Sequence, residues 1–334
     1  MGNNSKLNVL YFFSDLFADV AATSIVSLLE NNKSFEGITV YIIDDSISNQ
    51  KREMLNILIS SYNRDVMYIE APDPSVFFDF PFKTRYQMGH SYMRMCIGSL
   101  VPESVDKLLC LDSDTLVLGD LTTLWETDMK DNILAGVADC VNTKAFSKQF
   151  MLNDKEIYCN AGMFLVNLKE WRCCNIEQVI KDTIKEHNGN IFFFEQTLMN
   201  YACRGKIIKL PPEYNSYTLF YAMSFKNLMI WRRPTIFYTE QEAVKAKSSP
   251  IIIHFTRNFY MMSRPWVHGC DHPMTNEYLK YKKLTPWKDL ENDKRKWSEK
   301  MKYKLIHSVP ERIIVLITNV LYNDIRPLLF WKNE

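Results

Sequence analysis

The first 71 residues alternate short β-branched and aromatic runs with longer amphipathic ones, and this alternation leaves few architectures open. LNVLYFF (7–13), TVYIIDD (39–45) and VMYIEA (66–71) predict strands, separated by helices over 18–31 and 48–62. Strands joined through helical crossovers lie parallel in one sheet with helices on its faces. The expected class is therefore α/β with a mostly parallel central sheet. VDKLLCLD, ILAGVAD, NAGMFLVNL, IIKLP and PIIIHF extend the strand series to about residue 256, with helices expected over 91–100, 168–187 and 195–203 and a helix start at DLTTLW.

Composition narrows the function classes. Apolar residues at 47% supply a full core, which excludes a disordered or fibrous chain. A net charge of +1 argues against a nucleic-acid binder, although residues 280–304 hold ten Lys or Arg against four Asp or Glu. The eight cysteines form no CxxC pair and read as buried residues of a reducing compartment. Asp15 and Asp19 interrupt the N-terminal apolar run, and no run approaches the roughly 18 residues of a membrane span, so a cytoplasmic protein is expected. With ten glycines and neither a Gly-x-Gly-x-x-Gly nor a Walker A sequence, a phosphorylated ligand must be handled by metal and side chains.

LLCLDSDTLVL places Asp112 and Asp114 two residues apart directly after an apolar strand candidate. In extended backbone, residues i and i+2 face one side, and open α/β sheets bind ligands beyond the C-terminal ends of their strands. Such a pair suits Mg²⁺ or Mn²⁺, while a turn in which both side chains bond nearby amides is the plainer reading. His254 ends PIIIHF in the same way. It fits either a core histidine or the third ligand the pair lacks, and an imidazole favours Mn²⁺. A diphosphate would complete the shell, with Arg264 adding charge-assisted bonds as negative charge grows on the leaving group. That is chemistry for a nucleotide-sugar donor.

Four ordered blocks, LDSDTLVLGDLTTLW, YCNAGMFLVNLKEW, FFEQTLMN and HFTRNFYMMSRPW, resemble glycosyltransferase family 8, the retaining transferases with a GT-A fold, over about residues 8–271. The resemblance implies a UDP-sugar-dependent retaining hexosyltransferase, similar to bacterial enzymes that build lipopolysaccharide or capsule. UDP-glucose or UDP-galactose would be the donor and a glycan, glycolipid or glycoprotein the acceptor, without nucleic acid. It further implies Asp112, Asp114 and His254 as ligands of Mn²⁺, with Mg²⁺ as the second candidate ion. Arg94 and Ser113 look like donor contacts, as does Tyr86, and Asp139, Asn160 and Gly162 look like the wall that receives the donor sugar. Glu195 and Gln196 match the first two positions of the family's usual Asp-Gln-Asp block. The first would hold sugar hydroxyls and the second would lie near the anomeric face, which makes Glu195, Gln196 and Asp139 the catalytic candidates.

The chain departs from the family in three places. The block reads EQT, so Thr197 replaces a carboxylate. YFFSDLF keeps Asp15 between Ser14 and Leu16 and offers the Phe17 ring to stack on uracil. Arg264 stands for a lysine, ten residues after His254 and four farther than usual. Read singly, Arg94 also fits a surface ion pair, Asp139 a turn, Asn160 and Gly162 backbone roles, and Glu195 a helix N-terminal charge. Retention admits either a glycosyl-enzyme intermediate or same-face attack, and the neutral Gln196 favours the second. A sugar-phosphate nucleotidyltransferase and a noncatalytic UDP-sugar-binding module are the alternative functions.

The family blocks end near residue 271, dividing the chain into a transferase domain (1–271) and a basic, aromatic extension (272–334). HGCDH (268–272) lacks paired zinc spacing and reads as an acceptor-side loop. Ser308 and Glu311 form a capping-box pattern ahead of a helix over 309–325. Ile313, Leu316, Ile317, Val320 and Leu321 group on one side of that helix, opposite Glu311, Arg312, Thr318, Asn319 and Asn323. Packing on the catalytic domain and peripheral contact with the anionic inner face of the cell membrane are both open readings, and a dimer helix is a third.

Overall fold

The computed structural model describes residues 6–82, 91–257, 262–291, 294 and 296–330. Tyr86 and Met261 lie outside the described residues. Among the described residues ten strands form two sheets: β1 (Leu7–Ser14), β2 (Ile38–Asp45), β3 (Asp65–Glu70), β4 (Lys107–Leu111), β5 (Thr115–Val117), β6 (Leu134–Ala138), β7 (Cys159–Asn167), β8 (Ile207–Lys209), β9 (Ser216–Tyr217) and β10 (Ile252–His254). The larger sheet has the order β3-β2-β1-β4-β7-β6-β8 and the smaller β5-β10-β9. Pairing is parallel from β3 through β4, antiparallel on both sides of β7, and parallel again between β6 and β8.

Alternation along β1 divides its side chains between two cores. Leu7, Val9, Tyr11 and Phe13 join the cluster beneath the helix Ala18–Asn31, whereas Leu10 faces the cluster built around Tyr92, Phe164 and Trp171. The helix Ala18–Asn31 is buried along most of its length, including Ser24 and Ser27. Those hydroxyls are satisfied rather than stranded: Ser24 bonds Thr115 at 3.0 Å and Ser27 accepts from Val117 N at 2.9 Å. The helix thereby fixes β5, the strand that follows Asp112 and Asp114.

Parallel register brings the C-terminal ends of three strands to one edge. Ser14 lies opposite Asp45, and Tyr11 opposite Leu111, the residue before Asp112. In the small sheet His254 lies opposite Thr115, and Phe255 N donates to Asp114 O at 2.9 Å.

The extension departs from its expected form in three ways. Tyr278, Tyr281 and Trp287 pack in the same core as the helix Ala18–Asn31, with Asn31 donating to the Tyr281 hydroxyl at 2.8 Å. The capping box does not form, because Ser308 donates to Leu305 O and the Glu311 carboxylate accepts from Asn227 instead. The helix Glu311–Val320 also docks through its polar side. Asn319 donates to Ile230 O and Asn323 to Trp231 O at 2.7 Å, supplying partners to carbonyls at the end of the helix Phe225–Arg232. Leu316 and Ile317, each 52% exposed, face solvent with Ile313, Val320 and Leu321. Among the described residues no single helix is long and apolar enough to cross a membrane.

Candidate active site

Asp112 leaves the end of β4, Asp114 follows in a turn closed by Thr115 N donating to Asp112 O at 3.1 Å, and His254 ends β10. Nε2 of His254 lies 3.4 Å from Asp112 Oδ2 and 3.2 Å from Asp114 Oδ1. One ligand atom from each residue falls within 4.8 Å of the others, and among the described residues this is the one group of His, Cys, Asp or Glu so arranged. Burial alone would lower the His254 pKa, but the two carboxylates outweigh it and push it up to about 9. Two carboxylates and one imidazole, closely grouped around a position that already favours positive charge, fit a divalent cation of the Mn²⁺ type.

Gly162 makes this convergence possible. A Cβ there would sit 2.0 Å from His254 Cε1 and 2.2 Å from Nδ1, so the imidazole occupies space a side chain would fill. The Gly162 carbonyl also accepts from Asp112 N at 2.9 Å, linking β7 to the first carboxylate.

Arg94 is buried between two acids. Its Nη1 bonds Asp112 Oδ1 and the Ala161 carbonyl, and its Nη2 lies 3.3 Å from Glu195 Oε1. Burial would raise the Asp112 pKa, yet the Arg94 charge and the His254 bond hold it below its usual value. At Glu195 burial prevails over Arg94, and the pKa is raised.

Two pockets flank this centre. The first, of about 320 Å³, is lined by Phe12, Phe13, Ser14, Phe17, Asp45, Asp112, Ser113, Asp114, Arg257 and Arg264. Phe17 is partly exposed there, and Arg264 lies 3.5 Å from Asp114. Asp15 is not part of that lining. Its carboxylate accepts from Ser48 N at 2.9 Å and pairs with Lys51 at 3.0 Å, contacts that lower its pKa to about 2.

The second pocket, of about 400 Å³, contains Asp139, Asn160, Glu195 and Gln196. Gln196 is held at both ends of its amide: Oε1 accepts from Ala161 N at 3.1 Å and Asn160 Nδ2 at 3.3 Å, and Nε2 donates to Asp139 Oδ2 at 2.9 Å. Asn160 Oδ1 accepts in turn from Gly162 N at 2.9 Å and Asn215 Nδ2 at 3.0 Å. Thr197, standing where the family pattern has a carboxylate, is buried and bonds the Tyr158 hydroxyl at 2.8 Å. It belongs to the helix packing behind the pocket. A larger cavity of about 670 Å³ lies elsewhere, where Arg172 is engaged by backbone carbonyls, Glu177 by Ser99, and Lys181 lies over the Phe77 ring.

Several lining residues escaped the sequence reading. Asp45 was accessible to it, since TVYIIDD ends a strand in a carboxylate just as LLCLD does. Arg232, Tyr322 and Arg326 reach the second pocket from the helix Phe225–Arg232 and from the extension, whose approach to the centre no local pattern signals. HGCDH gathers no metal group among the described residues. His272 is buried against Tyr221 and Phe255, and burial lowers its pKa to about 4.

Comparison with known proteins bears on the fold and the family. General stress protein A of Bacillus subtilis (strain 168) is 23% identical over 295 residues, covering 87% of this chain and 98% of its own length. A lipopolysaccharide 1,2-glucosyltransferase of Escherichia coli is 24% identical over 330 residues, covering 97% and 92%. The crystal structure of galactosyltransferase LgtC in complex with donor and acceptor sugar analogs superimposes with a TM-score of 0.69 at 22% identity, covering 85% of this chain and 99% of that one. The fold is thus GT-A. The family model described as Glycosyl transferase family 8 matches residues 8–268, and the chain belongs to that family of glycosyltransferases.

Proposed function

We propose that the protein transfers a hexose from UDP-glucose or UDP-galactose to a hydroxyl of a glycan, glycolipid or glycoprotein acceptor, with net retention of configuration. The observation that carries this reading is the convergence of Asp112, Asp114 and His254 between a pocket bearing an exposed phenylalanine and a pocket organised by Gln196 and Asp139. The names of the related lipopolysaccharide glucosyltransferases and of the galactosyltransferase structure support a hexose donor.

In this reading Asp112, Asp114 and His254 hold Mn²⁺, which when bound supplies Lewis-acid stabilisation to the departing diphosphate. Phe17 stacks the base, while Ser113 and Arg264 flank the phosphates. Arg94 favours the ionised form of Asp112 and holds Asp112 and Glu195 in place. Glu195 and Asn160 orient donor hydroxyls beside Asp139, and Gly162 leaves His254 its place. Gln196, fixed by its amide contacts, presents a neutral dipole to the anomeric face and has no charge with which to attack it. The acceptor then enters on the face the diphosphate leaves. Incubation with each UDP-sugar and a simple glycoside acceptor, followed by NMR of the product and intact-protein mass spectrometry, tests this. An α-linked product without adduct is expected; a competent adduct on Asp139 or Glu195 would replace same-face attack by two displacements.

The catalytic body (1–271) and the extension (272–334) work together in this account. The outward apolar stripe of the helix Glu311–Val320, preceded by the basic segment, supports peripheral binding to an anionic membrane.

A further inference from the structure

The second pocket carries positive charge that donor chemistry leaves unused. Arg232 lines it and is about nine-tenths buried. Its Nε donates to Cys140 O at 2.5 Å, and its guanidinium lies over the rings of Tyr322 at 4.0 Å and Trp231 at 5.0 Å. Arg326, from the extension, lies over Phe193 at 4.7 Å and Phe192 at 4.9 Å. Arg257 completes the group and also lines the donor pocket.

Among the described residues none of these three guanidiniums forms an ion pair, and Arg232 makes no hydrogen bond through its two Nη groups. The lining holds two carboxylates. Glu195 is paired with Arg94, which leaves Asp139 facing three cations. Asp139 offers Arg232 one negative charge at longer range and the aromatic faces add to it, but the Nη fork itself bonds no acceptor among the described residues. Arg232 and Arg326 line the second pocket together with Asp139 and Gln196 and take no part in the donor pocket lining. An anion bound by them belongs to the second substrate.

We infer that the acceptor carries a phosphate or diphosphate close to the hydroxyl that is glycosylated, and that Arg232 and Arg326 bind it. Arg232 and Arg326 against Asp139 leave one positive charge, and Arg257, shared with the donor side, raises the excess to two, which suits a phosphate monoester carrying about −1.5 to −2 at neutral pH. Guanidinium forks also bond phosphate oxygens in pairs. This rests on the donor reading above, because it takes the other pocket as the place of UDP.

The test uses the full chain saturated with Mn²⁺ and UDP, which occupies the donor side. Glucose, glucuronate and glucose 1-phosphate are then titrated against the fluorescence of the protein, where Trp231 lies in the pocket wall. Glucose 1-phosphate is expected to bind at least about tenfold more tightly than glucose or glucuronate. Arg326→Gln should remove that advantage, and Arg326→Lys should keep part of it; both act at an exposed position, so neither depends on the tolerance of buried Arg232. Equal binding of the three sugars, or an advantage that survives Arg326→Gln, would overturn the inference. Octyl-diphosphoglucose adds the second arm: a further gain identifies a lipid-linked acceptor, and binding equal to glucose 1-phosphate identifies a soluble one. If UDP fails to bind, the donor reading fails by itself, and the same phosphate comparison made without UDP still decides this one.

Discussion

Replacing Gly162 with alanine should weaken Mn²⁺ binding by about 10- to 100-fold, or about 1.4–2.8 kcal/mol, while preserving the fold. The new Cβ would lie 2.0 Å from His254 Cε1, 2.2 Å from Nδ1 and 2.8 Å from Nε2. Carbon atoms in contact sit about 3.5–4.0 Å apart, so the ring must retreat by roughly 1.5 Å. Neither backbone can move instead: the Gly162 carbonyl is bonded to Asp112 N, and β10 is paired on both sides. The imidazole therefore swings away from the carboxylates, whereas metal bonds tolerate displacements of only about 0.2 Å. Mn²⁺ titration by electron paramagnetic resonance, with circular dichroism to verify folding, measures the loss. Gly37→Ala is the control, since its Cβ would meet nothing nearer than 3.5 Å. A folded Gly162→Ala protein with wild-type Mn²⁺ affinity would refute the packing argument.

Four further outcomes follow from the same geometry. With its pKa at about 9, metal-free His254 is protonated at neutral pH, so Mn²⁺ must displace a proton and its affinity should rise by up to about tenfold per pH unit between pH 7 and 9; calorimetry in buffers of different ionisation enthalpy reads the proton, and a flat profile contradicts it. The same shift has a stability sign. The folded pKa lies above the unfolded value of about 6.5, so the stabilisation of metal-free protein is complete below that pH and lost as pH rises through about 9, which urea unfolding across that window detects. Arg94→Met should destabilise the protein by roughly 3 kcal/mol, at the low end for a broken buried pair because Asp112 and Glu195 keep some solvent contact; denaturant midpoints measure it, and no loss would contradict the central role of that guanidinium. Leu316→Ser with Ile317→Ser should change stability by less than about 0.5 kcal/mol per site yet reduce cosedimentation with anionic vesicles, and unchanged cosedimentation would reject the membrane reading.

Elements with one dominant pattern were legible from sequence. The strand at 7–13 gains only Ser14, and the helix over 18–31 appears with the same limits, because a strand and helix buried along most of their length leave no competing period. Where the chain bends, pattern failed. The helix expected over 168–187 breaks into Leu168–Cys173 and Ile176–Glu186 around Asn175, which adopts φ 50°. The helix over 91–100 likewise divides into a 3-10 turn at Ser91–Met95 and a short helix at Ile97–Leu100. For the last helix the pattern left packing and membrane contact open, and which face docks was not legible, since its asparagines find backbone carbonyls of a distant helix to bond while its leucines stay outward. In the site, strand-end residues were findable because one rule places them all. Asn215 and the Arg232–Tyr322–Arg326 group were not, because distant segments bring them together.

The most direct test of the central claim is release of UDP from UDP-glucose and UDP-galactose with Mn²⁺ and a glycoside acceptor, comparing wild type with Asp112→Asn and Gln196→Ala. Mn²⁺-dependent release and sugar transfer are expected for at least one donor, lost with Asp112→Asn together with metal dependence. In Gln196→Ala the rate should fall more than donor affinity, because its fixed amide acts on charge that develops in the transition state. Pyrophosphate release from UTP and a sugar 1-phosphate, or transfer that survives Asp112→Asn with its metal dependence unchanged, would contradict the account.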